Sequence, residues 1–296
     1  MKDTFSTYHP LINLAFFTLV IGVSIFALHP AVLLISFASS FAYSAKLNKR
    51  KALKFNLLFL MPAMVVAAVF NPLFVHEGAT VLWYFPSGNP LTLESCVYGA
   101  VSSVMLGTVI MWFGCFNHVI TSDKLIYLFG RLMPSLSLTL SMVLRFVPRY
   151  KAQAKVVSNG QKCLGRDIAS GGILERASGG LKILSIMLTW SLENGVETAD
   201  SMKSRGFGLK GRTSFSNYRF DRRDAGAALA MALLATAFMM GAFLGFLKIR
   251  FYPTVKFATV SGAALAVHAS FMALCFMPLI IDAAEEIKWS YLKSQI

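Results

Sequence analysis

Six runs of apolar residues, each close to the length of a bilayer crossing, dominate this chain and leave it few folds. They cover Leu11–Leu28, Pro30–Ala45, Phe55–Phe74, Leu93–Phe116, Ala225–Leu247 and Ala258–Ile281. A helix needs about 20 apolar residues to cross the hydrocarbon of a membrane. None of the runs shows the polar–apolar alternation of a barrel strand, so helices must satisfy their own backbone. The second run is short, and Pro30 predicts a tight hairpin between the first two. At 56% hydrophobic and 14% charged residues, the composition excludes an ordinary soluble domain. The fold class expected is all-α, a polytopic helical membrane protein.

The charges give an orientation. Lys46, Lys49, Arg50, Lys51 and Lys54 crowd the connection after the second run, whereas Val75–Pro90 contains neither Lys nor Arg. The segment 117–224 carries more than half of the 28 basic residues. The positive-inside rule places that segment, the Lys46–Lys54 connection and both termini in the cytoplasm. Lys248, Arg250 and Lys256 fall outside, against the rule but few in number. The net charge of +14 therefore reads as topology. No module for nucleic acid accompanies it. The first apolar run lacks a small-residue cleavage site and leads into a second, which predicts an anchor rather than a removed signal peptide.

Several chemistries find no support. Cys96, Cys115, Cys163 and Cys275 are scattered, as are the five histidines, so neither a disulfide framework nor a metal site is expected. No nucleophile–base constellation or paired catalytic carboxylates stand out. No cofactor and no enzymatic activity are expected. Glu94 and Asp282 sit only at the ends of apolar runs. A carrier driven by protons or sodium, the alternative reading as an independent secondary transporter, would show more charge at mid-span.

The chain thus divides into N-terminal spans (1–116), a long cytoplasmic segment (117–224) and C-terminal spans (225–296). Within the segment, Leu125–Met133 is amphipathic. Ser135–Val157 begins apolar and turns basic, with Arg145 and Arg149 stacked at i, i+4 and with Pro148 predicting a kink or a restart. Gly171-Gly172 and Gly179-Gly180 are expected to bracket a short helix. From Leu181 a second long helix turns from apolar all round to one-faced. Apolar helices in a cytoplasmic segment must be covered by another helix or by the membrane surface. Two of them with basic ends suggest a crossed pair lying under the bilayer.

The second helix ends in Ser204-Arg205-Gly206. Glu193, Glu197 and Asp200 fall on one face, and Glu197, Ser201 and Arg205 form a ridge at steps of four. Gly206 is where the helix should stop, leaving Arg205 at a C-terminal end. There it either caps its own helix or offers its fork to a partner's carboxylates and carbonyls. The string Gly206 to Thr213 imitates a phosphate-binding loop with Arg212 in the lysine position. It follows a helix, however, instead of leaving a strand to open one. The chain is not expected to bind ATP itself.

These residues resemble a known family. Asn71-Pro72-Leu73-Phe74 with His76, Gly78, Thr80 and Leu82, then Leu93-Glu94-Ser95 with Tyr98-Gly99, look like two successive span boundaries of the transmembrane T component of energy-coupling factor (ECF) transporters. Leu144-Arg145-Phe146-Val147-Pro148 is similar to its Arg-Phe-x-Pro segment. Ser201-Met202-Lys203-Ser204-Arg205-Gly206-Phe207 is similar to the second of its two Ala-Arg-Gly motifs. The resemblance implies a non-enzymatic scaffold in a prokaryotic cell membrane. Two ABC-type ATPases would dock on its crossed coupling helices, and a substrate-binding S component for a vitamin or metal ion would sit beside it. Ser204, Arg205 and Gly206 carry over as ATPase-coupling residues, with Arg145, Pro148, Arg149 and Glu197 as parts of the coupling helices. The first motif departs: Cys163-Leu164-Gly165 stands where Ala-Arg-Gly is expected, with Arg166 two positions beyond Leu164. Either Arg166 takes over the contact or that helix docks less electrostatically.

Overall fold

The computed structural model describes residues 3–84, 89–165, 172–209, 218–257 and 261–295. Its contacts divide the chain into two units: residues 1–124 with 218–296, and residues 125–217.

The first unit holds six apolar helices: α1 (Pro10–Phe26), α2 (Pro30–Phe55), α3 (Met61–Phe74), α4 (Leu93–Val119), α8 (Arg222–Phe243) and α9 (Gly262–Ser294). They lie at the positions of the six expected runs. Four stretches are long and apolar enough to cross a bilayer: Pro30–Phe74, Leu93–Val119, Arg222–Phe243 and Gly262–Ser294. The chain is a multi-pass helical membrane protein. Pro10 and Pro30 open α1 and α2, where a missing N–H costs nothing. Thr92 and Ser261 cap α4 and α9 by accepting the amides of Ser95 and Ala264. Asp221 and Asp224 form a reciprocal cap on α8.

The stretch from α2 to α3 is not one rod. Lys49 adopts φ 45° and ψ −125°, which breaks the helix. Asn56 Nδ2 then donates to Ser44 Oγ at 3.4 Å. An unbroken helix would hold these residues about 18 Å apart. The basic run Lys46–Lys54 therefore sits on a sharp reversal.

Inside a bilayer the apolar side chains gain little by leaving lipid, so packing and buried hydrogen bonds specify which helices meet. Phe5, Phe16, Phe17, Tyr43 and Trp112 are fully buried together, with Trp112 edge-on to Phe16 and Phe17. The Trp112 indole N–H needs an acceptor when buried. It donates to Ser36 Oγ at 2.9 Å, and that hydroxyl lies 2.7 Å from Ser24 Oγ, so three helices share one polar cluster. Gly241 lets α8 approach α9, since a Cβ there would strike Val267.

A short strap closes the unit at one end. The 3-10 turn Phe5–Thr7 is held by Asp282 of α9, whose Oδ1 accepts the amides of Thr4 (2.9 Å) and Phe5 (3.2 Å). Lys46 lies 3.4 Å from the other oxygen of Asp282 and 3.3 Å from Glu286. Lys124 donates to the carbonyls of Ser6 and Val119, and Tyr43 donates to Asp3 at 3.0 Å. Burial, with Asp282 alongside, pushes the Asp3 carboxyl up to about 6. Arg223 of α8 stacks on Tyr8 at 4.4 Å and approaches Glu285 at 3.6 Å.

Two hairpins absent from the expected all-helical pattern lie in connections: β1 (Val81–Tyr84) with β2 (Pro90–Thr92), and β3 (Ile249–Arg250) with β4 (Lys256–Phe257), both antiparallel. Glu94 is buried beneath the first, accepting from the Thr80 amide and hydroxyl.

The second unit is built from the end of α5 (Ser122–Leu132), α6 (Pro134–Cys163) and α7 (Ile173–Ser204). One expectation needs correction. Gly179-Gly180 does not close a short helix; it lies inside α7, which runs unbroken through both glycines. Of the kink or restart expected at Pro148, the restart does not occur, since Pro148 is contained within α6. Each glycine costs about 1 kcal/mol of helix propensity and a proline about 3. Over helices of 32 and 30 residues, the surrounding turns outweigh them.

Candidate functional site

α6 and α7 meet at mid-length. Tyr150 hydroxyl lies 2.9 Å from Ser191 Oγ, and its ring stands edge-on to Trp190 at 5.4 Å. Arg149 Nη2 donates to Asn194 Oδ1 at 2.8 Å, and its guanidinium lies over the Trp190 ring at 5.5 Å. A planar guanidinium makes both contacts at once, which an ammonium does less well. Arg149 thus acts as a clasp between the two helices.

From this clasp toward the start of α6 and the end of α7 opens a groove of about 760 Å³. Leu138, Met142 and Phe146 line its α6 side at steps of four. The α7 side is mostly polar, with Glu197, Thr198 and Ser201 beside Met202. Arg145, Pro148 and Arg149 belong to the lining, and Arg205 lies at its end. The ridge Glu197–Ser201–Arg205 faces this groove, while Glu193 and Asp200 are exposed outside its lining. Among the described residues no hydrogen bond or ion pair engages the side chain of Arg145 or Arg205. The reading of Arg205 as a cap on its own helix therefore gains no contact. The Ser204 hydroxyl instead turns back to the Ser201 carbonyl at 2.9 Å.

The helix ends are alike. Gly206 has φ 76°; its amide reaches the Lys203 carbonyl (2.9 Å), and the Phe207 amide reaches that of Met202 (3.0 Å). These two bonds satisfy carbonyls that the last turn leaves without partners. Gly165 has φ 73°, and its amide reaches the Lys162 carbonyl at 3.0 Å. Leu164, the C-cap of α6, is 69% exposed, and Arg205 is the exposed C-cap of α7. Arg166 and the loop-like residues Gly211, Arg212 and Thr213 lie outside the described residues.

Sequence reasoning singled out the ridge, Arg149 and the glycine stop. It missed Tyr150, Trp190 and Asn194 as the contact between helices. An aromatic at 150 and another at 190 carry no local signal that they meet.

Comparison with known proteins gives the chain relatives. No protein-family model matches the chain. It is 28% identical over 182 residues to the energy-coupling factor transporter transmembrane protein EcfT of Acidaminococcus fermentans, covering 58% of this chain and 66% of that protein. The EcfT of Brevibacillus brevis is 25% identical over 208 residues, 66% of this chain and 78% of that protein. The chain resembles the ECF transmembrane proteins. The EcfT of Lactobacillus helveticus shares 32% identity over 90 residues, 30% of this chain. That match, and the one to the EcfT of Lactococcus lactis, span 32% and 34% of those EcfT proteins' length. The names of these ECF relatives describe transporter membrane components, not enzymes.

Proposed function

We propose that this chain is the membrane scaffold of an ECF-type importer, a T component that couples ATP hydrolysis in two partner ATPases to reorientation of a membrane-embedded S component. The observation that carries this reading is the pair of long helices α6 and α7. Each ends in an αL glycine, and each presents its last side chain, Leu164 or Arg205, to solvent. Rigid rods with free tips suit the transfer of a push from a cytosolic partner. Residues 117–224 serve as the coupling region between N-terminal and C-terminal spans. The protein lies in a prokaryotic cell membrane with both termini and this region in the cytoplasm.

The three buried carboxylates among the described residues of the spanning unit support a scaffold rather than an ion-driven carrier. Glu94, Asp224 and Asp282 are 2%, 3% and 3% exposed, and each accepts backbone amides. The substrate, a vitamin or a metal ion, is assigned to the S component.

Detergent pull-down of the tagged chain from its own host tests the reading. Two ABC-type ATPases and a small membrane protein should co-purify. Recovery of the chain alone, together with uptake by the chain alone in vesicles, would replace the scaffold with an independent transporter.

A further inference from the structure

We infer that His29 and His268 form a two-imidazole site for a divalent transition-metal ion, such as Zn²⁺ or Co²⁺, at the end of the spanning unit away from the Asp282 strap. The five histidines are scattered along the sequence, yet the fold brings these two together. His29 is the N-cap of α2, in the turn after α1, and His268 lies in the second turn of α9. Asp282 is about 21 Å further along α9. Both rings are half-buried, so water reaches them.

His268 Nδ1 lies 2.6 Å from the carbonyl of Ala264. A carbonyl only accepts, so the proton sits on Nδ1 and Nε2 carries the bare lone pair. An imidazole N–H fixed by a backbone carbonyl is how metal-bound histidines are commonly oriented. The bare Nε2 faces His29 Nδ1 at 3.5 Å, which is long for a hydrogen bond. It is close to the separation of about 3.4 Å between two nitrogens bound at about 2.05 Å to one tetrahedral ion. The ring positions agree. Two imidazoles meeting head-on at this nitrogen distance would place their centroids about 5.8 Å apart, and two leaning on one tetrahedral ion about 5.2 Å. The observed separation is 5.1 Å, with the planes 56° apart.

Among the described residues no group of three or more His, Cys, Asp or Glu side chains forms, so water would complete the shell. Imidazole ligands select borderline transition metals over Mg²⁺ and Ca²⁺, which prefer oxygen. Burial, and then the facing His268 ring, hold His29 below the ordinary imidazole range, toward the neutral form that a metal needs. A bound ion would pin the turn between α1 and α2 to α9. It would do so whether or not the chain is an importer scaffold.

The test uses the full-length chain in detergent, free of any histidine tag and stripped of metal by a chelator, titrated with Zn²⁺, Co²⁺ and Mg²⁺ at pH 7.5. Zn²⁺ and Co²⁺ should each bind once per chain by calorimetry and raise the melting temperature. Co²⁺ should show the intense visible absorption of a tetrahedral site, and Mg²⁺ should have no effect. His29→Gln and His268→Gln should each weaken Zn²⁺ binding about tenfold or more. His118→Gln, at an exposed histidine in the last turn of α4, should not. Wild-type binding should be lost between pH 7.5 and about 5.5, as protons take the lone pairs. A metal-free melting temperature equal to wild type shows that each variant is folded. His29→Cys, which restores a ligand, should keep Co²⁺ binding and add a sulfur-to-cobalt charge-transfer band.

Wild-type Zn²⁺ affinity in both glutamine variants, or an equal response to Mg²⁺, would overturn the proposal. So would a wild-type chain that binds no metal. In that case a melting temperature that falls on acidification in wild type, but not in His268→Gln, would make the pair a proton-sensitive contact instead.

Discussion

Leu164 and Arg205 occupy the same position in two different helices, each the last residue before a glycine in the left-handed region, Gly165 at φ 73° and Gly206 at φ 76°. The backbones end alike; the chemistry they offer does not. One tip presents a hydrocarbon and the other a fixed positive fork. A partner that binds both tips must meet them with different surfaces.

Arg205→Ala should weaken ATPase retention by one to two orders of magnitude, because a charged hydrogen bond contributes about 1.5–3 kcal/mol. The loss should shrink in high salt. Leu164→Ala should weaken it through lost apolar contact, by up to about 2 kcal/mol and with little salt dependence. Arg166→Ala should do less than either. Pull-down at two salt concentrations separates the three. A salt-insensitive Arg205 effect would contradict the electrostatic role.

Gly206→Val should fray the end of α7. A side chain in the left-handed region costs about 1–2 kcal/mol, and the amides of Gly206 and Phe207 should then exchange faster with deuterium. Gly206→Asn should be tolerated better, since asparagine visits that region. Unchanged exchange in the valine variant would mean the cap is dispensable.

Gly241→Leu should loosen the contact of α8 with α9, because its side chain would be driven into Val267. Overpacking of this kind costs about 1–3 kcal/mol. Val267→Ala in the same chain should recover part of the melting temperature. Additive losses in the double variant would place the clash elsewhere.

The strap should respond to pH. Asp3 titrates near 6, above its ordinary 3.8, because burial and Asp282 disfavour its charge. A raised carboxyl stabilises the packed strap fully below its unfolded value and loses that contribution as pH rises through about 6. Hydrogen exchange at Thr4 and Phe5, corrected for intrinsic rates, should be slower at pH 5 than at pH 7.5, and Asp3→Asn should abolish the difference. Slower exchange at the higher pH would reverse the assignment.

Cysteine labelling in a cysteine-free chain tests the orientation. Glu77→Cys should react from outside in intact cells, and Lys203→Cys only after permeabilisation. The opposite pattern would remove the ATPase-facing role of α7.

The six apolar helices and the stop at Gly206 were legible because length, periodicity and glycine position are local signals. Gly179-Gly180 misled for the opposite reason: local propensity marks a boundary there, while the remaining residues of a 32-residue helix outweigh it. The Arg149–Trp190 clasp and the Asp282 cap on Thr4 were invisible because no spacing rule joins residues so far apart. The reversal at Lys49 was legible as a charged connection, though not as a break within a few residues.

The bond from Thr4 to Asp282 joins positions 278 apart. During synthesis, α1 to α4 are made long before α9 supplies that carboxylate, with the whole second unit produced in between. For that interval the strap has no anchor, and Phe5 lacks an amide partner that it has in the finished protein. Truncation before Asp282 should therefore leave an inserted but unlatched first half, open to quality-control proteases at its N-terminal edge. The carboxylate that latches the start of the chain is thus supplied by α9.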